Sequence, residues 1–317
     1  GITRISGNST DTLRYCLFEG IAHPLWGGKY YVEYCVFNEV TTTFSAILFS
    51  GEFEFFHNEV KNSSAGVIFP FSNANIQNNT FHDLTSWYVV WYSLGQDFRH
   101  NNLYNVNSTW NSDERNGAFY LDSDHLEANP NNIVSCYNVV TTSGSEDVVQ
   151  FPSQYWGTVL NDNIQTQIMD FWDYSGFPQL DVYPILQNPD SLAHGIVWKI
   201  DVNGIDPQDE ELDYLGPDTH QFDVYFNRAM DTDFEPFLTF GVDQPYTQHV
   251  VNDSASWSAD SSVWTAYTTM GIETGDGINR VRVSGARDDE NFEIPIEDQR
   301  FEFVLQAAGA ASVQFIA

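Results

Sequence analysis

Basic side chains are scarce in this sequence. Its 317 residues include 12 lysines and arginines, of which only Lys29, Lys61 and Lys199 are lysines, against 44 aspartates and glutamates. The formal net charge is −32, and a charge of this size repels polyanions over long distances. Nucleic acids and anionic membrane surfaces are therefore not expected as partners. The sequence also lacks an apolar run long enough to cross a bilayer, so we predict no direct membrane insertion.

Cysteine is rare as well, and the signatures of several enzyme classes are missing. Among the three cysteines, Cys16 and Cys35 occupy the same place in two copies of a short pattern, Tyr-Cys-x-Phe. Stacked parallel strands would bring them together, and because disulfide geometry is strict we favour a ladder of buried thiols over a bridge. The sequence has no nucleophile elbow, phosphate-binding loop or zinc motif, and its histidines lack the spacing of metal ligands.

The pattern that contains these cysteines returns along the chain from Arg14 to Gln167. Its copies align on Phe18, Phe37, His57, Phe81, Tyr104, Val134 and Ile164, at steps of 19 to 30 residues. Repeats of this length without helical spacing predict a solenoid of short strands. A second apolar segment precedes each copy, as in Gly66–Phe69, so two or three strands per turn are predicted to stack into a parallel β-helix over residues 1–178.

An asparagine stands three positions before four of the aligned residues, at Asn78, Asn101, Asn131 and Asn161. In stacked turns such a side chain can hydrogen-bond the equivalent amide of the next turn, and asparagine tolerates left-handed backbone. We therefore predict that these four residues form one column at a corner of the solenoid.

The period is lost after Asp170, where several prolines follow. We predict a linker over residues 179–195 and a second domain over residues 196–317. Short β-rich segments separated by turn signals fit a β-sandwich in this domain. These segments are Ile196–Val202, Phe222–Phe226, Phe237–Phe240, Val263–Thr268, Arg280–Val283 and Phe301–Leu305.

Two resemblances extend this interpretation. The segment Phe222–Asp231 looks like the F-x-x-x-M-D signature of bacterial Ig-like domains, which occur in surface-layer and other exported proteins. The first half resembles the right-handed parallel β-helix repeat proteins, a family that includes pectate-lyase-like enzymes, adhesins and phage tailspikes. The resemblances imply an all-β chain in which a right-handed parallel β-helix (solenoid) is followed by an Ig-like β-sandwich. They also imply an exported bacterial protein, extracellular or on the cell surface, whose signal segment is absent from this chain.

The first candidate site is acidic. Tyr120, Asp122 and Asp124 alternate along one strand and are predicted to share a face. Paired carboxylates on the flank of a β-helix resemble the catalytic arrangement of polygalacturonase-type hydrolases. This supports, as an alternative function, a polysaccharide-degrading enzyme (a pectinase-like hydrolase or lyase) with Asp122 and Asp124 as its catalytic pair. A solvated turn and a metal or sugar contact are the other interpretations of the same cluster.

The second candidate site is aromatic and comprises Trp87, Tyr88, Trp91 and Tyr92. Because a solenoid strand has a single inward face, either the two indoles or the two phenols project outward. Together with Tyr120 they are the predicted binding residues, since exposed rings stack on sugar faces or bury apolar surface of a partner. The competing interpretation is that the loop at residues 107–116 folds over them.

The third candidate site is a turn in the second domain. Asp201, Asn203, Asp206 and Asp209 supply hard oxygen ligands at short spacings around Gly204. Calcium requires such ligands, although their order differs from that of EF-hand loops. The predicted cofactor is Ca²⁺ at this turn, or none, and a solvated acidic turn is the alternative.

These observations predict a non-enzymatic extracellular or cell-surface module, structural or adhesive, that binds a polysaccharide or another surface protein through the wall of the β-helix. A subunit of a surface layer or an extracellular fibre is a further alternative. The chain opens within the repeat, at Gly1. We therefore expect either an upstream segment or self-assembly through the open end of the β-helix.

Overall fold

A computed structural model of the chain describes residues 5–6, 10–21, 25–26, 29–40, 47–49, 53–63, 69–70, 74–86, 90–92, 97–108, 119–121, 129–136, 140–142, 148–173 and 175–307. Within these residues the chain is all-β apart from one short α-helix and one 3₁₀ turn, Ile272–Thr274. It divides into two compact units, Gly1–His194 and Gly195–Ala317. No helix of the described parts has the length and apolar composition to cross a bilayer.

The first unit is built from short strands and one α-helix. In chain order they are β1 (Ile5–Ser6), β2 (Thr10–Arg14), β3 (Leu17–Glu19), β4 (Leu25–Trp26), β5 (Lys29–Glu33), β6 (Val36–Asn38), β7 (Ile47–Phe49), β8 (Phe53–Phe56), β9 (Glu59–Ser63), β10 (Phe69–Pro70), β11 (Ala74–Gln77), β12 (Thr80–Ser86), β13 (Val90–Tyr92), β14 (Asp97–Arg99), β15 (Asn102–Ser108), β16 (Phe119–Leu121), β17 (Asn131–Val134), β18 (Val140–Thr142), β19 (Val148–Gln150), β20 (Gln154–Tyr155), α1 (Asn161–Gln165) and β21 (Gln179–Asp181).

These strands pair in parallel. Three sheets hold most of them: β1-β4-β7-β10, β2-β5-β8-β11-β14 and the seven-stranded β3-β6-β9-β12-β15-β17-β20. Two shorter sheets are β13-β16-β18 and β19-β21. Each strand pairs with a strand of the next repeat, and we call one repeat of this path a rung. The first unit is therefore a parallel β-solenoid, which confirms the fold predicted from the repeat.

Strand pairing sets the register of the core. In the seven-stranded sheet it aligns one buried inward column: Phe18, Phe37, Val60, Phe81, Leu103 and Ile133. The predicted column is correct at three positions, Phe18, Phe37 and Phe81, and wrong at four. His57 lies in a corner, Tyr104 and Val134 stand one position late, and Ile164 lies in α1. Rungs differ in length, so spacing alone does not locate the strand that faces the core.

Two columns of left-handed residues form the corners beside this sheet. The first contains Tyr15, Tyr34, His57, Asn78, His100 and Ser153, and the second begins with Gly20, Glu39, Asn62, Asp83 and Asn105. Left-handed backbone is costly for residues other than glycine. The corner is stabilised because its backbone N–H groups donate hydrogen bonds to carbonyl oxygens of the next rung. Tyr34 N donates to Phe56 O (3.3 Å) and His57 N to Gln77 O (3.3 Å).

A hydrogen-bonded ladder lies inside the first corner. Its members directly follow the corner positions, and they are Cys16, Cys35, Asn58, Asn79, Asn101, Asn131 and Gln154. Asn79 N donates to Asn101 Oδ1 (3.0 Å), and Asn101 N to Asn131 Oδ1 (3.1 Å). The predicted asparagine column is therefore correct at Asn101 and Asn131. It is wrong at Asn78, which occupies the corner itself, and at Asn161, which begins α1.

The cysteines continue this ladder as free thiols. Cys16 N donates to Cys35 Sγ (3.4 Å), and Cys35 N donates to Asn58 Oδ1 (2.8 Å). Neither cysteine forms a disulfide, in agreement with the predicted thiol ladder. Burial raises the pKa of the Cys35 thiol to about 12.

The far end of the solenoid is closed by residues after the last rung. Ile164 of α1 and Ile168 join Trp156 in the core of the first unit. The boundary between the two units falls after His194, so residues 179–194 of the predicted linker belong to the first unit. β21 pairs with β19, and Leu186 N donates to Gln154 O (2.9 Å). We call residues 184–194 the strap.

The second unit contains eight strands in the described residues: β22 (Val197–Val202), β23 (Thr219–Phe226), β24 (Phe237–Gly241), β25 (His249–Val251), β26 (Asp253–Trp257), β27 (Val263–Thr269), β28 (Gly277–Ser284) and β29 (Glu302–Leu305). They form two antiparallel sheets, β22-β23-β27-β26 and β25-β24-β28-β29. The Phe222 ring of the first sheet lies 6.2 Å from Phe240 and 5.9 Å from Phe303 of the second. The two sheets therefore share one core, as the layers of a β-sandwich do.

A buried ion pair ties the segment before β29 to the start of β22. Glu297 is fully buried, and its Oε2 lies 2.7 Å from Arg300 Nη2. The same guanidinium donates to the backbone oxygens of Val197 (2.7 Å) and Trp198 (3.2 Å). Both charges are thus compensated inside the fold, which is the condition under which a buried pair is tolerated.

Candidate functional site

The first corner of the solenoid begins with a stack of aromatic rings. The centroids of Tyr15 and Tyr34 are 5.3 Å apart, and His57 lies 5.0 Å from Tyr34. Tyr15 is 77% exposed, and Leu17, two positions on, is 63% exposed. Rings that stack from rung to rung cover one another's faces, so the stack offers ring edges and hydroxyl groups sideways. We call Tyr15, Leu17, Tyr34 and His57 the aromatic column.

Further along, the same corner holds the strap. Asn78 Nδ2 donates to Leu192 O (2.6 Å), and His100 Nδ1 lies 2.7 Å from Asp190 Oδ2. The ring of His194 meets His57 edge-on at 5.3 Å. Corner side chains thus bind the strap through both its backbone and a side chain, and the aromatic column is the exposed continuation of this surface.

A charged cluster lies on the outer face of the seven-stranded sheet, around the buried His82. Its Nδ1 is 2.7 Å from Asp83 Oδ2 and its Nε2 is 3.0 Å from Glu59 Oε1. Lys61 Nζ also reaches Glu59 Oε1 (2.9 Å), and Asn105 Nδ2 donates to Asp83 Oδ1 (2.7 Å). Every member therefore has a partner of opposite charge or a hydrogen-bond donor.

The protonation of this cluster follows from its geometry. Burial opposes ionisation of His82, Glu59 and Asp83, but their hydrogen bonds and opposite charges outweigh it. The pKa of His82 is therefore raised, and the pKa values of Glu59 and Asp83 are lowered. Both ring nitrogens of His82 are occupied, so no lone pair faces a substrate. The arrangement is that of an ion-pair network, not of a general acid or base.

The predicted catalytic pair and part of the predicted aromatic wall, namely Asp122, Asp124, Trp87 and Tyr88, lie outside the described residues. Trp91 and Tyr92 belong to β13, and Tyr120 belongs to β16. The register pairs Trp91 with Tyr120 and Tyr92 with Leu121 on adjacent rungs. The backbone thus brings these predicted binding positions side by side, and their role stays a prediction.

The predicted calcium turn begins as a tight hairpin. Val202 and Ile205 exchange both backbone hydrogen bonds (2.8 and 3.1 Å) across Asn203 and Gly204, which both have positive φ. The residues that flank this closing pair are Asp201 and Asp206. The side chain of Asn203 points elsewhere, because its Oδ1 accepts from Gln221 N (3.0 Å) and its Nδ2 lies 2.9 Å from His220 Nδ1. Asn203 is therefore separated from the other predicted ligands.

The structure adds acidic and aromatic neighbours to this turn that sequence reasoning missed. Antiparallel pairing sets Asp223 directly opposite Asp201, and Lys199 opposite Tyr225. Lys199 Nζ lies 2.9 Å from Asp201 Oδ2 and 4.7 Å from the centre of the Tyr225 ring. Burial, followed by the hydrogen bond and charge of Asp201, raises the pKa of Tyr225 to about 12. In β23 the polar residues Gln221, Asp223 and Tyr225 alternate with buried apolar residues. This alternation is visible in the sequence and predicts that the three polar side chains share one face of the sheet.

No protein-family model, curated protein or solved structure matches this chain.

Proposed function

We propose that this chain is a non-enzymatic module of an extracellular or cell-surface protein, which binds a glycan or another surface protein along the corner of the solenoid. The observation that carries the proposal is the aromatic column. It exposes large apolar side chains on a rigid repeating scaffold, next to a stretch of the same corner that already holds the strap. Exposed aromatic and apolar side chains grouped in this way mark binding surfaces.

The charged groups of the solenoid support a binding role over catalysis. The described cluster around His82 is fully engaged in internal ion pairs. A net charge of −32 also disfavours anionic polysaccharides and favours neutral glycans or proteins as ligands.

We further propose that the solenoid is right-handed and that the second unit is an Ig-like domain that acts as a spacer. The order β22-β23-β27-β26 corresponds to Ig strands A-B-E-D, and β25-β24-β28-β29 corresponds to C′-C-F-G. Within the F-x-x-x-M-D segment, Phe226 and Met230 are buried in the sandwich core. This strand order and the burial of these two residues support the assignment.

The test is a binding screen with the full chain. Neutral and acidic polysaccharides are compared by affinity electrophoresis, and immobilised extracellular proteins by surface plasmon resonance. The variants Tyr15→Asn and Tyr34→Asn remove the rings and keep a residue that the corner accepts, since Asn78 has the same left-handed backbone. Because buried aromatic anchors dominate interfaces, we expect each variant to weaken binding by about tenfold or more.

The matched control is Trp172→Ala, which removes an equally exposed ring outside the aromatic column. It should leave binding unchanged. Equal binding by the wild type and both corner variants would exclude the aromatic column as the site. Release of reducing sugar or unsaturated uronate from any polysaccharide would instead establish an enzyme.

A further inference from the structure

One face of the second unit carries a row of carboxylates that crosses three neighbouring backbone segments. Asp223 of β23 is the direct cross-strand partner of Asp201 in β22. On the other side of Asp201 the hairpin closes at Val202 and Ile205, so Asp206 is the next residue across from it. The order is therefore Asp206, Asp201, Asp223. Like charges directly opposite each other in a sheet destabilise it, so a cation at the row is stabilising.

The positive charge found at the row is smaller than the negative charge. Asp201 is 4% exposed and Asp223 is 8% exposed. Lys199 Nζ lies 2.9 Å from Asp201 Oδ2, and the Tyr225 hydroxyl also hydrogen-bonds this carboxylate, while the buried Oδ1 has no hydrogen-bond partner that satisfies the geometry. Burial raises the pKa of Asp206, and the negative charges of Asp209 and Asp201 raise it further. A single ammonium group thus faces four carboxylates, and a buried acceptor of Asp201 is left unused.

The remaining contacts separate ligands from supporting groups. Both oxygens of Asp223 accept hydrogen bonds from Gln221 Nε2 (3.0 and 2.8 Å), and its Oδ1 also accepts from Thr265 Oγ1 (2.5 Å). Asp223 is thereby held opposite Asp201 by its own hydrogen bonds, and it contributes charge. Asp206 and Asp209 lie in the part-buried turn, where Asp206 Oδ1 accepts from Gln208 N (2.9 Å).

We propose that Asp201, Asp206 and Asp209 bind one divalent cation of the calcium type, with Asp223 adding negative charge from the neighbouring strand and Asn203 taking no part. Hard oxygen ligands on a turn suit Ca²⁺, which accepts irregular coordination, better than Mg²⁺, which demands a near-ideal octahedron. Among the described residues these carboxylate oxygens do not form a group of three within 4.8 Å of one another. Binding therefore draws the turn inward, and the affinity falls in the range of extracellular calcium modules, roughly 10⁻⁴ to 10⁻³ M.

The proposal makes Lys199 a competitor of the ion, since its ammonium group occupies the other oxygen of Asp201. Removing this ammonium group with Lys199→Met leaves Asp201 uncompensated until a cation binds. The variant should therefore bind Ca²⁺ more tightly than the wild type. It should also depend on Ca²⁺ more strongly for its stability.

The test uses the full chain and two readouts. Calcium is titrated while thermal unfolding of the second unit is followed, and Tb³⁺ is titrated while its luminescence is excited through the nearby Tyr225 and Trp198, whose rings are 6.0 Å apart. At ten times the dissociation constant, Ca²⁺ should shift the folding equilibrium about 11-fold, and the melting temperature should rise with it. Magnesium at the same concentration should give a smaller shift.

Variants decide which residues bind the ion. Asp206→Asn, in the part-buried turn, should raise the half-saturating Ca²⁺ concentration at least tenfold, and Asp201→Asn should abolish the Tb³⁺ signal. Asp233→Asn removes the same charge from an exposed position and serves as the control. Equal melting curves with and without Ca²⁺, or equal titrations of Asp206→Asn and Asp233→Asn, would overturn the proposal. Should Asp201→Asn fail to fold, the comparison of Asp206→Asn with Lys199→Met still decides, because the two must shift the titration in opposite directions.

Discussion

The asparagine ladder inside the first corner allows a quantitative test of what holds the rungs together. The change is Asn101→Ala, at a fully buried position in the middle of the ladder. Asn101 Oδ1 accepts from Asn79 N (3.0 Å), and its Nδ2 donates to the backbone oxygens of Ile76 and Arg99 (2.9 Å each) and to Asn131 Oδ1 (3.1 Å). One carboxamide thus joins three successive rungs.

The expected loss follows from these contacts. Truncation leaves the buried N–H of Asn79 without its acceptor, and an unsatisfied buried donor costs about 1–3 kcal/mol. The backbone oxygen of Arg99 still accepts a hydrogen bond from Asn78 N (3.4 Å), whereas the backbone oxygen of Ile76 loses the one from Asn101 Nδ2. This lost bond adds about 1 kcal/mol, for a total of about 2–4 kcal/mol. The effect should be local, because each rung contacts mainly its neighbours.

Hydrogen exchange with mass spectrometry measures this loss where it arises. Amides of β11, β12, β14 and β15 should exchange about 30- to 700-fold faster in the variant, since a factor of ten corresponds to about 1.4 kcal/mol. The control is Asn38→Ala, which breaks an exposed amide ladder between Glu19 and Asn62, where water replaces the lost bonds. The reasoning is refuted if both variants exchange alike, because burial of the ladder would then contribute nothing.

Three further outcomes are expected. Arg300→Met removes the positive partner of the fully buried Glu297 and should lower the free energy of unfolding in urea by about 3–5 kcal/mol. The double variant Arg300→Met, Glu297→Leu should recover most of this loss, and equal losses in the single and double variants would contradict the reasoning. Because the pKa of His82 is raised, its ion pairs stabilise the fold fully below about pH 6.5, and this stabilisation is lost as the pH rises through the folded-state pKa. The pKa values of Glu59 and Asp83 are lowered, so their stabilisation is lost as the pH falls below about 4. The decline in stability of the first unit as the pH rises above about 6.5 should therefore be absent in His82→Gln, and an unchanged decline would assign it to another group. Burial raises the pKa of Cys35 and of Cys136 to about 12, so a thiol reagent at pH 8 should label them only as the chain unfolds, and immediate labelling of the native chain would contradict their burial.

The sequence by itself determined the fold class, because its apolar residues show two periods: the length of a solenoid rung in the first unit and the alternation of a β-strand in the second. Phe18, Phe37 and Phe81 recur at the spacing of a rung, and each faces the core because removing an apolar ring from water stabilises the fold. Strand alternation likewise located six of the eight described strands of the second unit. The two missed strands are β25 and β26. The polar, largely exposed β26 is an edge strand of its sheet, and an edge needs no apolar stripe.

Only the tertiary structure decided which residues meet, because pairing across rungs and strands depends on register and not on order in the chain. Asn79, and not Asn78, enters the ladder because the left-handed corner residue comes first and turns the next side chain inward. The strap could not be predicted from the sequence for a similar reason: its backbone is held by side chains such as Asn78, 114 positions earlier in the sequence. Asp223 lies opposite Asp201 only because β22 and β23 pair in antiparallel fashion. The spacing of residues around the turn at Asn203 could not predict a neighbour that comes from another strand.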